Sequence, residues 1–260
     1  MNALDRARPL LTAAARDHAR EVDGYLDLLG ASNHDSPGIA QSLMRSSAVP
    51  RIYEHWWRPA LGRVAKGAFG PGMTEEKRIA RLLLALSPGD GVLDVGCGTG
   101  NFTRDFARSV GPDGLVVGLD VSQTMLERAV HDTNSAGFEQ VVYVRGNAED
   151  APFVDASFDA VCCFAALNLF ADPYAALDSF TRVLTPGGRL AIFTSARGRS
   201  LPLRTFERAI QAQSGMNMFE RDELVEALAE RGFTNVRQRL TGMTQFVGGR
   251  LQPFAGSERA

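Results

Sequence analysis

The sequence is poor in cysteine, in lysine and in long apolar runs, and each shortage removes a class of protein. Three cysteines in 260 residues cannot build a disulfide framework. Cys97, Cys162 and Cys163 also lack metal-ligand spacing with the four histidines, so a reducing compartment and no structural metal are expected. Only Lys66 and Lys77 are lysines among 28 basic residues, and the arginines are scattered along the chain. With 30 acidic residues the formal net charge is −2, which argues against a nucleic-acid partner. The most apolar stretch, Ala160 to Ala171, is interrupted by Asn168 and closed by Asp172 and Pro173, far short of the ~20 residues of a membrane-spanning helix. Asp5, Arg6, Arg8, Arg16 and Asp17 break up the N-terminus before the apolar core of an export signal can form. A soluble, cytoplasmic protein is expected.

What is present is an ordinary globular composition, 45% hydrophobic and 22% charged, at a length that suits one large α/β domain with an appendage. Residues 1 to about 35 read as helical from Leu10, Leu11, Ala14, Val22, Leu26 and Leu29, and end in the turn residues Gly30, Asn33, Asp35, Ser36, Pro37 and Gly38. Residues 39–69 read as short helices broken by Pro50 and Pro59, with Tyr53, His55, Trp56 and Trp57 clustered among them and Gly70-Pro71-Gly72 at the end. From Glu75 the pattern alternates. Helices are expected at Glu75 to Leu86, Phe102 to Val110, Ser122 to Ser135, Tyr174 to Leu184 and Arg221 to Arg231. Strands are expected at Val92 to Val95, Leu115 to Asp120, Val141 to Arg145, Phe158 to Phe164 and Arg189 to Thr194. That rhythm predicts a parallel sheet with helices on both faces. Val236 to Leu240, the turn Thr241-Gly242 and Met243 to Val247 close it as an antiparallel hairpin. The organisation expected is therefore a helical appendage over 1–72, a sheet domain over 73–250 and a tail over 251–260.

Three strand ends carry the chemistry. Val92-Leu93-Asp94-Val95-Gly96-Cys97-Gly98-Thr99-Gly100 runs from a strand through glycines into a helix, the place where backbone can approach a ligand that side chains would repel. Asn101 stands where a dinucleotide fingerprint needs its third glycine, which disfavours a nicotinamide oxidoreductase. By itself the loop can also be read as a tight βα turn. Asp120 closes the second strand 24 residues after Gly96, near the ~20 expected of an acid that reaches a ribose; the alternative is a helix N-cap by Asp120 or Ser122. Gly146-Asn147-Ala148-Glu149-Asp150 comes after the third strand, where a polar side chain beside a small residue can read an adenine edge, and where a plain polar turn would look the same.

In this order on consecutive strand ends, the three segments resemble the class I S-adenosylmethionine-dependent methyltransferases, most closely the small-molecule branch with the quinone and lipid C- and O-methyltransferases. The resemblance spans roughly Glu75 to Gly248 and takes in Ala151-Pro152-Phe153 and Arg182-Val183-Leu184-Thr185-Pro186-Gly187-Gly188-Arg189-Leu190. It implies an α/β fold, a doubly wound Rossmann-like sheet that is mostly parallel with a C-terminal antiparallel hairpin, plus an N-terminal helical cap. S-adenosylmethionine is the implied cofactor and a small-molecule acceptor the implied partner. Gly96, Gly98 and Gly100, flanked by Asp94 and Cys97, would approach the methionine and ribose portions. Asp120, with Val121 beside it, would hold the ribose; Asn147 and Ala148, with Glu149, would read the adenine; Phe164 would lie near the methionine amino group. Two departures stand out: relatives often carry Asp at Asn147, and often His after the fourth strand, where this chain has Leu167 and Asn168. Asn168 can orient an acceptor but cannot take its proton.

Tyr53, Trp56 and Trp57 read either as a helix packed on the sheet or, by the same resemblance, as a lid over the methionine end; His55 is a candidate base with little else to support it. With Asn168, Tyr53 and His55 complete the catalytic candidates. Cys162-Cys163 reads as core. The expected activity is methyl transfer to a small, apolar acceptor, and the rival reading is a non-catalytic module that binds the cofactor to sense it or to scaffold a partner.

Overall fold

The computed structural model describes residues 2–30, 71–198, 211 and 215–253. Tyr53, His55, Trp56 and Trp57, and with them the expected cover over 39–72 up to Gly70, lie outside the described residues. The N-terminal segment opens with α1 (Ala3–Ala7), whose N-cap Asn2 forms a capping box with Asp5, then a single 3₁₀ turn at Arg8–Leu10 and α2 (Ala13–His18). The helical periodicity expected to continue through Val22, Leu26 and Leu29 does not hold: β1 (Arg20–Val22) and β2 (Tyr25–Asp27) form an antiparallel hairpin instead. Its turn is Asp23-Gly24, both at positive φ, the pairing that two-residue hairpins favour. Among the described residues of the cap, the helical part lies within residues 3–18, and residues 20–27 belong to the sheet.

From residue 73 the alternation is as expected: α3 (Met73–Leu84), β3 (Gly91–Val95), α4 (Asn101–Val110), β4 (Leu115–Asp120), α5 (Gln123–Ser135), β5 (Val141–Arg145), β6 (Phe158–Phe164), α6 (Pro173–Val183), β7 (Leu184–Ser195), α7 (Glu223–Glu230) and the hairpin β8 (Phe233–Thr241) and β9 (Thr244–Leu251). The largest shift is the start of β7, which begins at Leu184 opposite Phe158 and, after an irregularity that spans Gly187-Gly188, resumes its pairing at Arg189. Local chemistry sets the helix starts. Asp172 accepts from the N–H groups of Tyr174 and Ala175 with Pro173 at the first helical position, and Ser122 accepts from that of Met125.

Nine strands form one sheet in the order β1-β2-β5-β4-β3-β6-β7-β9-β8. Strands β2 to β7 are mutually parallel, and β1, β9 and β8 run antiparallel to their neighbours. One face packs Leu93, Val95, Val117, Val144, Val161 and Ile192 against α6 and α7, and the other packs Val92, Val116, Ala160, Cys162 and Ala191 against α3 and α4. Chain order reverses between β3 and β6: the sheet grows outwards from β3 through β4 and β5 on one side and from β6 through β7 on the other. A crevice opens outside the carboxyl ends of the strands at such a reversal. Among the described residues no helix is long and apolar enough to cross a membrane.

Candidate functional site

The glycine loop after β3 sits at this reversal. Gly96, Gly98 and Gly100 all have positive φ, at 65°, 54° and 74°. Their surroundings differ. A Cβ on Gly96 would lie 2.3 Å from the Ala166 Cβ of the loop after β6, and one on Gly100 would lie 2.1 Å from the Tyr143 hydroxyl, so packing alone demands glycine at both. A Cβ on Gly98 would meet nothing within 4 Å among the described residues. Among the described residues, only at Gly98 does the loop face open space while its backbone is bound from behind.

That bond is made by Asp120. The Gly98 N–H donates to its Oδ2 at 2.8 Å and the Ser122 N–H to its Oδ1 at 2.9 Å. The two carboxylate oxygens together have capacity for about four hydrogen bonds, more than the N–H groups around them use. Asp120 is half-buried. Burial pushes its pKa above the ordinary 3.8, against the lowering effect of the Ser122, Gly98 and Val121 N–H groups. The helix-cap alternative holds for Ser122, which caps α5, while Asp120 braces the glycine loop.

Asp94 and Cys97 stand behind the loop. Asp94 is 2% exposed and accepts from the Thr103 hydroxyl at 2.6 Å, which ties the end of β3 to α4. Cys97 is buried and its thiol pKa is driven well up, first by burial and then by Asp120 and Asp94, so it stays a protonated, unreactive thiol. Two supports carry no motif. Tyr143 on β5 fills the space left by Gly100 and Gly118 and shares a hydrogen bond of 2.8 Å with Thr133. Arg104 donates to the Thr99 carbonyl at 2.8 Å. Gly118 inside an otherwise apolar strand is the available sign of the Tyr143 contact, because a lone strand glycine marks a close approach.

Next along the edge, Val121 is a large apolar side chain left 41% exposed. Asn147 is exposed, with its Oδ1 accepting from the Glu149 N–H at 3.0 Å, and Ala148 is buried beside it. Glu149 turns the other way: its Oε1 accepts from the N–H groups of Ala171 at 2.7 Å and Asp172 at 3.2 Å, at the start of α6. An apolar side chain, an exposed amide and an open acid line up in sequence along β4 and β5. Beyond the loop, Phe164 ends β6 but buries its ring against Phe102, Phe193 and Phe246, at centroid distances of 5.0, 5.9 and 5.9 Å. It presents backbone, not ring, to the crevice edge, and the next residue, Ala165, is exposed at φ 61°. Asn168 is buried in the 3₁₀ turn Leu167–Leu169, whose position is fixed by the Asn217 N–H donating to its carbonyl at 2.8 Å. Among the described residues no cluster of three or more His, Cys, Asp or Glu is placed to hold a metal ion.

Comparison with known proteins agrees with this geometry. A family profile described as a methyltransferase domain matches residues 86–245. A chloroplastic methyltransferase of Arabidopsis thaliana, itself uncharacterised, is 31% identical over 229 residues, covering 82% of this chain and 63% of its own length. The chain thus spans less than two thirds of that relative. The demethylmenaquinone methyltransferase of Staphylococcus aureus is 33% identical over 188 residues, covering 64% of this chain and 75% of its own. Among solved structures, a Haemonchus contortus phosphoethanolamine N-methyltransferase in complex with S-adenosyl-L-methionine shares the fold with a TM-score of 0.63 at 17% identity, covering 79% of this chain and 60% of that one. By the profile match and by these relatives, the chain belongs to the methyltransferase domain family of class I S-adenosylmethionine-dependent methyltransferases.

Proposed function

We propose that the protein transfers the methyl group of S-adenosylmethionine to carbon or oxygen of a small, apolar, ring-bearing acceptor. The observation that supports this most is the pairing of Gly98 and Asp120: a loop position with open space in front of it among the described residues, and an acid bonded behind it that keeps acceptor capacity in reserve. A carboxylate with acceptor capacity in reserve suits the hydroxyls of a ribose. Val121 and Asn147 then offer an apolar surface and an acceptor oxygen to the adenine, and the backbone of Gly96 and Ala165 frames the methionine end. When bound, the cofactor would supply a methyl carbon on a sulfonium, an electrophile whose leaving sulfur would take the electrons of the broken carbon–sulfur bond.

What remains for the protein is alignment and exclusion of water, and alignment lowers such a barrier by up to ~7–11 kcal/mol. The Asn168 amide takes no proton, so it suits an acceptor that arrives already ionised. The acceptor class rests on the resemblance to quinone methyltransferases, including the Staphylococcus aureus relative named for demethylmenaquinone. Incubation with methyl-labelled S-adenosylmethionine and pools of hydroquinones, phenols and polar amines tests the reading. Label is expected in the ring-bearing acceptors. Label confined to polar amines overturns the acceptor class, and tight cofactor binding with no transfer to any pool favours the non-catalytic module.

A further inference from the structure

The profile match begins at residue 86, yet an element far upstream reaches the carboxyl edge where adenosine is proposed to lie. Arg145, the last residue of β5, sits opposite Asp120 in the strand register. Its Nε donates to the Val121 carbonyl at 3.1 Å, and its NH1 group donates to the Gly30 carbonyl at 2.8 Å and pairs with the Asp27 carboxylate at 3.3 Å. Backbone bonds close the same circuit: the Leu28 N–H donates to the Arg145 carbonyl at 3.1 Å, and the Gly146 N–H to that of Asp120 at 3.1 Å. Asp27 in turn accepts from the N–H groups of Leu29 and Gly30 at 2.9 and 3.1 Å. Both side chains are largely withdrawn from water, at 14% and 11% exposure.

The geometry points to Asp27 and Arg145 as positioning residues for cofactor binding: the hairpin β1–β2 holds the Arg145 guanidinium so that it fixes the Val121 peptide, and through it the orientation of Asp120 and of the exposed Val121 side chain. This rests on the placement of adenosine at Asp120 and Val121. The guanidinium suits the task because its planar fork donates in several directions at once, towards Val121 on one side and towards Asp27 and Gly30 on the other. A lysine has one nitrogen and cannot span both. Neither residue touches the cofactor in this scheme, so each acts by removing alternative conformations of the peptide that does. The cost of such freedom is paid on binding.

Calorimetry on the full chain separates this role from plain stabilisation. Asp27→Asn preserves shape and is expected to raise the dissociation constants of S-adenosylmethionine, S-adenosylhomocysteine and methylthioadenosine by one common factor of about 3–10, because all three share the adenosine half. Arg145→Met should do the same, and Arg145→Lys should recover only part of the loss. The thermal shift induced by S-adenosylhomocysteine should shrink in each variant, beyond any fall in the melting temperature of the free protein. Should Arg145→Met fail to fold, Asp27→Asn carries the test alone. Unchanged constants for Asp27→Asn alongside a weakened Asp120→Ala would overturn the inference and reduce the pair to a stabilising contact. Unchanged constants in both would mean that adenosine does not lie at Asp120, and the inference falls with that placement.

Discussion

A single carboxylate, Asp120, joins the loop to the ligand surface, and its chemistry gives the sharpest expectations. Asp120→Ala removes charge-assisted bonds of roughly 1.5–3 kcal/mol, which implies a rise of about 10-fold to 150-fold in the dissociation constants of cofactor and demethylated product alike. Titration calorimetry decides it. The pH dependence has two opposed signs. Because burial holds the folded-state pKa of Asp120 above the ordinary 3.8, the ionised group weakens the fold at neutral pH, and that penalty is relieved as pH falls through the raised value towards 3.8. Over the same window the carboxylate loses the charge that strengthens its bonds to ribose. Relative to Asp120→Asn, the native protein should therefore gain stability while it loses cofactor affinity, measured by denaturant unfolding and by calorimetry from neutral pH downwards. Asn147 makes a gentler case. Its Oδ1 already accepts from the Glu149 N–H, and Asn147→Asp keeps that acceptor while adding charge, so cofactor affinity should hold or improve. Asn147→Leu loses the acceptor and should bind more weakly. Equal affinities across the three forms would place the adenine elsewhere.

At the scale of the element, the glycine loop divides into positions required by packing and one left open to a ligand. Gly96→Ala must accommodate a methyl 2.3 Å from Ala166 as well as a φ of 65°, and should lose more stability than the ~1–2 kcal/mol that a left-handed conformation costs by itself. Gly98→Ala carries the same conformational cost without the clash, so its stability loss should stay near ~1–2 kcal/mol while cofactor affinity falls. Paired unfolding and binding curves report both quantities. The spacing of these glycines is plain in the sequence, as are the strands that end at Val95, Asp120, Arg145 and Phe164, because buried parallel strands read as short runs of β-branched and aromatic residues closed by turn residues. The division of labour among Gly96, Gly98 and Gly100 is not legible there. It is set by Ala166 and Tyr143, which lie far from the loop in sequence and meet it only in the folded sheet.

At the scale of the molecule, the same limit explains why the N-terminal hairpin reads as helix in the sequence. Val22, Leu26 and Leu29 fit a helical period as well as they fit two three-residue strands, and what decides the choice is the free edge of β5, which lies beyond the reach of any local pattern. The burial of the Phe164 ring has a related reason. Its strand end is where the sequence puts it, but alternation along β6 turns the ring into the aromatic cluster under the sheet and leaves only backbone at the edge.

The union of β2 with β5 also orders events in time. Asp27 and Arg145 are separated by 118 positions, so during synthesis the hairpin emerges long before its partner strand exists. A two-stranded hairpin has little stability of its own, and closing so long a loop is slow. The sheet is expected to grow from β3 and β4 outwards and to accept β2 late. In pulse-labelled refolding, amides of β3 and β4 should gain protection from exchange before that of Leu28, whose N–H bonds to Arg145. Until that moment β5 is an open edge carrying Val142 and Val144, a surface on which a second chain can pair. The hairpin that orients a binding site in the finished protein thus also closes, as a late step, the stretch of that edge at Val144 and Arg145 to its own copies.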